Sequence, residues 1–358
     1  MKSLCLLSLL FASAVVPEHS MAPALHSVAV VPPDSREARV LSTVRDSFDT
    51  DDGVHWLLHP VEGQPSRQRS GTPYIVTRLD PARPTRLFFA TDFLPTETTP
   101  RGDIGQIDDL GRIDGETIGV SMVWQDTKWN AHAGLVLAKP NGDEYTPVRI
   151  LEAPGIRRAV GGPNGTIVAI THDLRGGDAP LITVYGRDGA ILAEAYPIGR
   201  FLKAKQAWQK SWWARIRRLG DDRFALYEPE AKQVRVFRVE APRRTEDAEL
   251  FVTAEKKRDA EAKIVELASV DVADAGAKAC SDEEGVRVLD IDATPANRVT
   301  VVRTGIFDGK YTTLVSVYEN GEVRAWRNEN PWRVVWRSGT GWRGVIMKDE
   351  ILHEDVAF

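Results

Sequence analysis

Residues 160–199 read VGGPNGTIVAITHDLRGGDAPLITVYGRDGAILAEAYPIG, and this stretch decides the fold. The turn Pro163-Asn164-Gly165 leads into Thr166-Ile167-Val168-Ala169-Ile170, an apolar, β-branched run suited to a strand buried on both faces. A Gly- and Asp-rich loop (173–178) follows. Then come Leu181-Ile182-Thr183-Val184-Tyr185, the tight turn Arg187-Asp188-Gly189, and Ile191-Leu192-Ala193-Glu194-Ala195. Three strands within about 40 residues, the most apolar one first, describe a small meandering sheet whose first strand lies deepest.

The same signals recur along the chain. Asp51-Asp52-Gly53 precedes Val54-His55-Trp56-Leu57-Leu58, and Asp114-Gly115 precedes Thr117-Ile118-Gly119-Val120. Asp221-Asp222 precedes Phe224-Ala225-Leu226-Tyr227, and Glu284-Gly285 precedes Val286-Arg287-Val288-Leu289. These turn-plus-strand starts repeat every 50–60 residues or so. A second set of turns is interleaved with them: Lys139-Pro140-Asn141-Gly142, Gly186-Arg187-Asp188-Gly189 and Tyr318-Glu319-Asn320-Gly321, each between two apolar strands. In the second and third units the hairpin turn falls about 25 residues after the inner turn, as inside a blade of short strands. Residues 311–327 (YTTLVSVYENGEVRAWR) add a further hairpin. The fold class read from this is all-β, a β-propeller of six blades, with five or seven also compatible with the spacing. The pattern resembles exported six-bladed propellers of the NHL-repeat kind over nearly the whole mature chain. Regular Trp-Asp dipeptides of the WD40 type are absent, and the NHL resemblance implies a fold without any fixed catalytic residue.

Of 358 residues, 42% are hydrophobic and 27% charged, with a net charge of −5, so no basic excess points to nucleic acid. Met1-Lys2, the apolar run 4–11 and Ala12-Ser13-Ala14 read as a signal peptide over residues 1–14, which implies a secreted or periplasmic protein. Residues 15–27 read as an irregular N-terminal segment, and 28–358 as the propeller, with Val28-Ala29-Val30-Val31 as its first strand. The apolar run is too short for a transmembrane span, and none is expected in the mature chain. Cleavage leaves Cys280 as the one thiol, so no intramolecular disulfide is expected. Residues 245–268 contain no Gly or Pro and are rich in Glu, Lys and Ala, which predicts one short helical insertion; their tail, 264–272, also fits a strand.

Three sets of residues are candidates for function. Residues 200–218 hold Lys203, Lys205, Lys210, Arg215, Arg217 and Arg218 beside Trp208, Trp212 and Trp213, without a carboxylate. They offer a surface for an anionic glycan, a membrane headgroup layer or a protein partner, against the simpler reading of an inter-blade connection. The dipeptides Trp326-Arg327, Trp332-Arg333, Trp336-Arg337 and Trp342-Arg343 fit either stacking on ligand rings or filling the wedges between blades. Asp52, Asp109, Asp114, Asp222 and Glu284 lie in turns leading to the expected innermost strands, where a ring of carboxylates suits Ca²⁺ or Mg²⁺. That ring would support a metal-dependent, lactonase-like hydrolase at the channel mouth, although Asp is also an ordinary turn residue. His55, His59, His132 and His172 form no HExxH pair, and Arg101-Gly102-Asp103 sits in a polar loop. The leading expectation is therefore a non-catalytic binding module that carries no cofactor, with the metal-dependent hydrolase as the alternative.

Overall fold

The computed structural model describes residues 25–35, 38, 41, 46–49, 55–60, 74–78, 86–88, 107–125, 131–153, 155–171, 177–199, 214–229, 231–242, 250–256, 262–272, 287–294, 298–307, 309–338, 341–347 and 349–358. The chain opens with β1 (Leu25–Val30) and then runs through four-strand antiparallel meanders. The first comprises β2 (Asp46–Asp49), β3 (His55–Pro60), β4 (Tyr74–Arg78) and β5 (Arg86–Phe88), and the second β6 (Ile107–Asp114), β7 (Thr117–Gln125), β8 (Ala131–Asn141) and β9 (Glu144–Glu152). The third is β10 (Ile156–Gly161), β11 (Ile167–Thr171), β12 (Gly177–Tyr185) and β13 (Ala190–Gly199). In the fourth, β14 (Arg215–Arg218), β15 (Arg223–Glu228) and β16 (Gln233–Glu240) are followed by two short strands, β17 (Phe251–Thr253) and β18 (Glu255–Lys256), before β19 (Lys263–Asp271) closes the unit. The fifth holds β20 (Arg287–Ala293), β21 (Val299–Phe307), β22 (Lys310–Glu319) and β23 (Glu322–Asn328), and the last β24 (Trp332–Ser338), β25 (Gly341–Met347) and β26 (Ile351–Ala357).

These strands form five hydrogen-bonded sheets, because the first two meanders join edge to edge through one parallel pair, Leu87 with Glu144. The first strands of the six meanders touch in a closed cycle, β2–β6–β10–β14–β20–β24 and back to β2. That cycle makes the molecule a β-propeller. Its seam is closed by strand exchange between the two ends of the chain: β1 adds to the outer edge of β26 in the last blade, antiparallel and without a register shift.

Alternation along a strand explains the packing. In β11, Val168 and Ile170 enter the core shared with the fourth blade, alongside Phe224, Leu226 and Phe237, whereas Ile167 and Ala169 enter the core shared with the second, alongside Ile113 and Leu135. A strand lodged between two wedge-shaped cores needs apolar residues at every position, and all five residues of β11 are buried. The deepest strand of that blade is nevertheless β10, which corrects the expected order. β10 lines the ring and carries Arg157 and Arg158, which interrupt the apolar run and disguise it in the sequence. The hairpin turns stand where the sequence puts them, with Gly142, Gly189 and Gly321 at φ 59°, 83° and 79°. Asn320, at φ 53°, precedes Gly321, the type I′ geometry that Asn-Gly favours.

Two further expectations fail. The first strand starts at Leu25, inside the segment read as irregular. The helical insertion is replaced, in its described part, by strands. β17 pairs in parallel with β9 (Phe251 with Ile150), β18 in parallel with β13 (Glu255 with Ala190), and β19 completes the fourth blade against β16. Helix propensity is a weak prior that tertiary pairing overrides. The chain thus leaves the fourth blade, straps the outer edges of the second and third, and returns. Among the described residues, no helix is long and apolar enough to cross a membrane.

Candidate functional site

The inner strands run in one direction, so the ring has an entry end, where they begin, and a turn end. Around it, charged side chains pair from blade to blade. Asp109 of β6 takes both Arg158 Nε (2.5 Å) and Arg158 Nη2 (2.7 Å) from β10, a bidentate pair, and its Oδ1 also accepts the Leu110 amide. Arg217 of β14 reaches Asp290 Oδ2 at 3.0 Å and Asp292 Oδ1 at 3.6 Å on β20, and its guanidinium lies 5.7 Å from the centre of the Trp342 ring. Asp292 also receives Arg337 Nη1 of β24 at 2.9 Å. One buried carboxylate therefore ties three blades together.

Removing the Asp292 carboxylate takes away the counter-ion that Arg217 and Arg337 share, and Arg217 keeps Asp290. Asp292→Ala is expected to lower stability by about 3 kcal/mol, the lower end of the range for breaking a buried pair, because Arg337 is 38% exposed. The urea unfolding midpoint measures it, and an unchanged midpoint would show the network to be energetically idle.

Of the candidate metal ligands, Asp109, Asp114 and Asp222 lie in the described part. Asp114, at the end of β6, loses solvent by partial burial, which alone would raise its pKa. A hydrogen bond from Thr117 and the Arg187 guanidinium outweigh this and hold it below the usual carboxylate range. Arg187 also donates from Nε to the Gly165 carbonyl, and Arg149 caps the Arg187 carbonyl at 2.8 Å. Asp114 is thus a structural ion-pair partner joining the second and third blades. Asp222 sits in the turn between β14 and β15, where its carbonyl accepts the Val239 amide. Both turns lead to second strands, one place outward from the innermost ones. Asp52 and Glu284 lie outside the described residues. Among the described residues, no group of three or more His, Cys, Asp or Glu side chains is placed to hold a metal ion.

The Trp-Arg dipeptides resolve as packing. Trp326, Trp332 and Trp342 lie in the core between the fifth and sixth blades and Trp336 in the next one, all buried, while Arg343 pairs with Asp355 at 2.6 Å. Trp332 donates its indole N–H to the buried Glu354 (2.7 Å), which also accepts from Asn328 and pairs with His26 of β1 at 2.8 Å. His132 pairs with Glu152 at 2.6 Å. The side chains of His55 and His59, and residues His172, Cys280 and Arg101-Gly102-Asp103, lie outside the described part.

Of the basic, tryptophan-rich run, Arg215 is described: it opens β14 and donates to the carbonyls of Leu289 (3.4 Å) and Ala214 (2.9 Å). Lys203, Lys205, Trp208, Lys210, Trp212 and Trp213 lie outside the described residues, in the connection from β13 to β14. Just before that connection, Tyr196 takes a left-handed backbone conformation (φ 56°), which is costly for a bulky side chain. Arg235 lies 5.2 Å from its ring centre and is itself gripped by Glu228 and Glu266. Burial, then the Glu266 charge, pushes the Tyr196 phenol far up, so it stays a neutral donor. Asp290, Asp292 and Arg158 escaped the sequence reading. Their available signal was charge alternating with apolar residues, as in Leu289-Asp290-Ile291-Asp292.

No protein-family model and no curated protein matches the sequence. Among solved structures the chain is similar to YCF48 bound to D1 peptide, at 10% identity over 94% of this chain and 97% of that one, with a TM-score of 0.35. It is also similar to a Thermus thermophilus protein described as an oxidoreductase (glucose dehydrogenase), at 11% identity over 92% and 100%, with a TM-score of 0.39. Likenesses this distant transfer no role and do not extend to the NHL-repeat family. The propeller itself rests on the strand pairing and the closed ring of inner strands.

Proposed function

We propose that the protein is an exported, non-catalytic binding module that holds an anionic polymer at the entry end of the propeller. The supporting observation is the surplus length of one connection. Passing from an outer strand to the next inner strand takes only residues 153–155 between β9 and β10, and residues 329–331 between β23 and β24. The same step between β13 and β14 uses residues 200–214, far more chain than the geometry requires. Two other long connections are acidic, with Asp92, Glu97 and Asp103 in residues 89–106, and Asp274, Asp282, Glu283 and Glu284 in residues 272–286. The β13–β14 connection alone among these gathers Lys203, Lys205 and Lys210 with three tryptophans. Flat apolar faces beside clustered cations suit a polymer that offers both negative charge and rings. The pairing of Asp114 with Arg187 gives the metal-dependent hydrolase no support.

The wild-type protein is expected to bind a heparin-like resin and to elute as salt shortens the screening length to below about 8 Å. Lys203→Gln, Lys205→Gln and Lys210→Gln together are expected to weaken retention and flatten its salt dependence, with the melting temperature nearly unchanged. A wild-type protein that flows through at low salt would overturn the reading.

A further inference from the structure

The outer edges of the blades are not equally protected. Exposed strand edges invite pairing with other chains, and folded proteins blunt them with charges, proline, bulges or a cover. Here β9 is covered by β17 and β5, and β13 by β18. β19 carries Lys263, Glu266 and Asp271 along its length, and β23 carries Glu322, Arg324 and Arg327. Among the described residues, β1 has none of these devices. Its sequence, LHSVAV, holds neither Asp, Glu, Lys, Arg nor Pro, and its register against β26 is unbroken. Among the described residues it is the end strand of its sheet, with Leu25, Val28 and Val30 each more than half exposed.

The register also fixes which backbone groups face outward. The Val31 amide donates to Ile351 at 2.9 Å, which makes Val31 and Ile351 a hydrogen-bonded pair. In an antiparallel ladder such pairs alternate with non-bonded ones. Ala29, Ser27 and Leu25 therefore turn their N–H and C=O groups toward β26, and Val30, Val28 and His26 turn theirs outward. We infer that this edge docks a second copy of the chain, β1 against β1 in antiparallel sense, about a two-fold axis at Val28. On that axis Val28 faces Val28 of the other copy, Val30 faces His26, and Ala29 faces Ser27. His26, Val28 and Val30 of each copy then donate and accept one backbone bond apiece. What selects the occupant is that no cross-strand pair sets two like charges opposite each other: Val28 meets Val28, Val30 meets His26 and Ala29 meets Ser27. The result is one continuous sheet running through the last blades of both molecules.

A six-residue edge is a small interface, so the dimer forms at high protein concentration. Sedimentation velocity of the full chain between about 1 and about 100 µM is expected to show a shift from monomer to dimer. Val28→Pro removes an outward N–H without touching a β1–β26 bond, since proline is accepted where a strand faces solvent. Val28→Lys sets two cations opposite each other on the axis. Each variant is expected to weaken dimerisation at least tenfold while the far-ultraviolet spectrum and urea midpoint stay as in the wild type. Should Val28→Pro unfold, Val28→Lys decides. A wild-type chain still monomeric at about 100 µM, or a dimer indifferent to both substitutions, would overturn the inference.

Discussion

Replacing residues 245–268 with a short Gly/Ser linker is expected to abolish cooperative unfolding, leaving an insoluble or molten chain. Read as an exposed helix, this segment would be dispensable, because lengthening or shortening a surface loop changes closure entropy little. Its place in the fold reverses that outcome. The deletion takes away β17 and β18, which cover the outer strands of the second and third blades, and most of β19. Val252 and Ala262, both buried, leave two different cores, and the edge of β16 that carries Phe237 and Val239 loses its ladder partners. Opening two inter-blade cores together sets the loss against a total stability of only about 5–15 kcal/mol. Urea denaturation followed by tryptophan fluorescence makes the measurement. A deletion variant that unfolds in one sharp transition near the wild-type midpoint would show that the strap contributes nothing.

What the sequence discloses depends on how far apart the interacting parts lie. Turns are local, so Asn320-Gly321 and Arg187-Asp188-Gly189 announce themselves, and from their spacing the propeller follows. The strap is not local: Phe251 finds Ile150 and Glu255 finds Ala190, and nothing in a Glu- and Lys-rich stretch names those partners. Nor is the closure of the ring, where Leu25 pairs with Ala357. The charged ring is legible only in part. Asp109 and Asp114 stand out as turn-adjacent carboxylates, but their arginines, Arg158 and Arg187, come from 49 and 73 residues away. Arg158 is illegible for the same reason that β10 is, whereas Arg187 is plain in its turn and only its counter-ion is hidden. A charged residue in an inner strand breaks the apolar pattern by which strands are recognised, and its counter-ion belongs to the next blade.

Gly161→Val is expected to cost at least about 3 kcal/mol, for a reason also absent from the local sequence. Gly161 has no positive φ to justify it, so the constraint is space. A Cβ there would lie 1.6 Å from the carbonyl oxygen of Ile113 on the neighbouring inner strand. Gly111 is its counterpart on β6, where a Cβ would lie 1.8 Å from the Ala159 carbonyl oxygen. The two strands therefore pass backbone to backbone at the ring, and a side chain at either glycine must force them apart. Neither atom met is the end of a flexible side chain, so local adjustment cannot absorb the clash. Separating β6 from β10 would also lengthen the Asp109–Arg158 pair and loosen the core that holds Ile113, Ile156 and Ala159. Gly111→Val is expected to behave alike, and the double variant to lose less than the sum, because the first substitution has already opened the gap the second needs. Gly220→Ala is the control, since a Cβ at that turn meets nothing within 4 Å. Comparing the urea midpoints of these variants tests the packing of the ring directly. If Gly161→Val melts with the wild type, the inner strands do not approach one another as closely as this geometry requires.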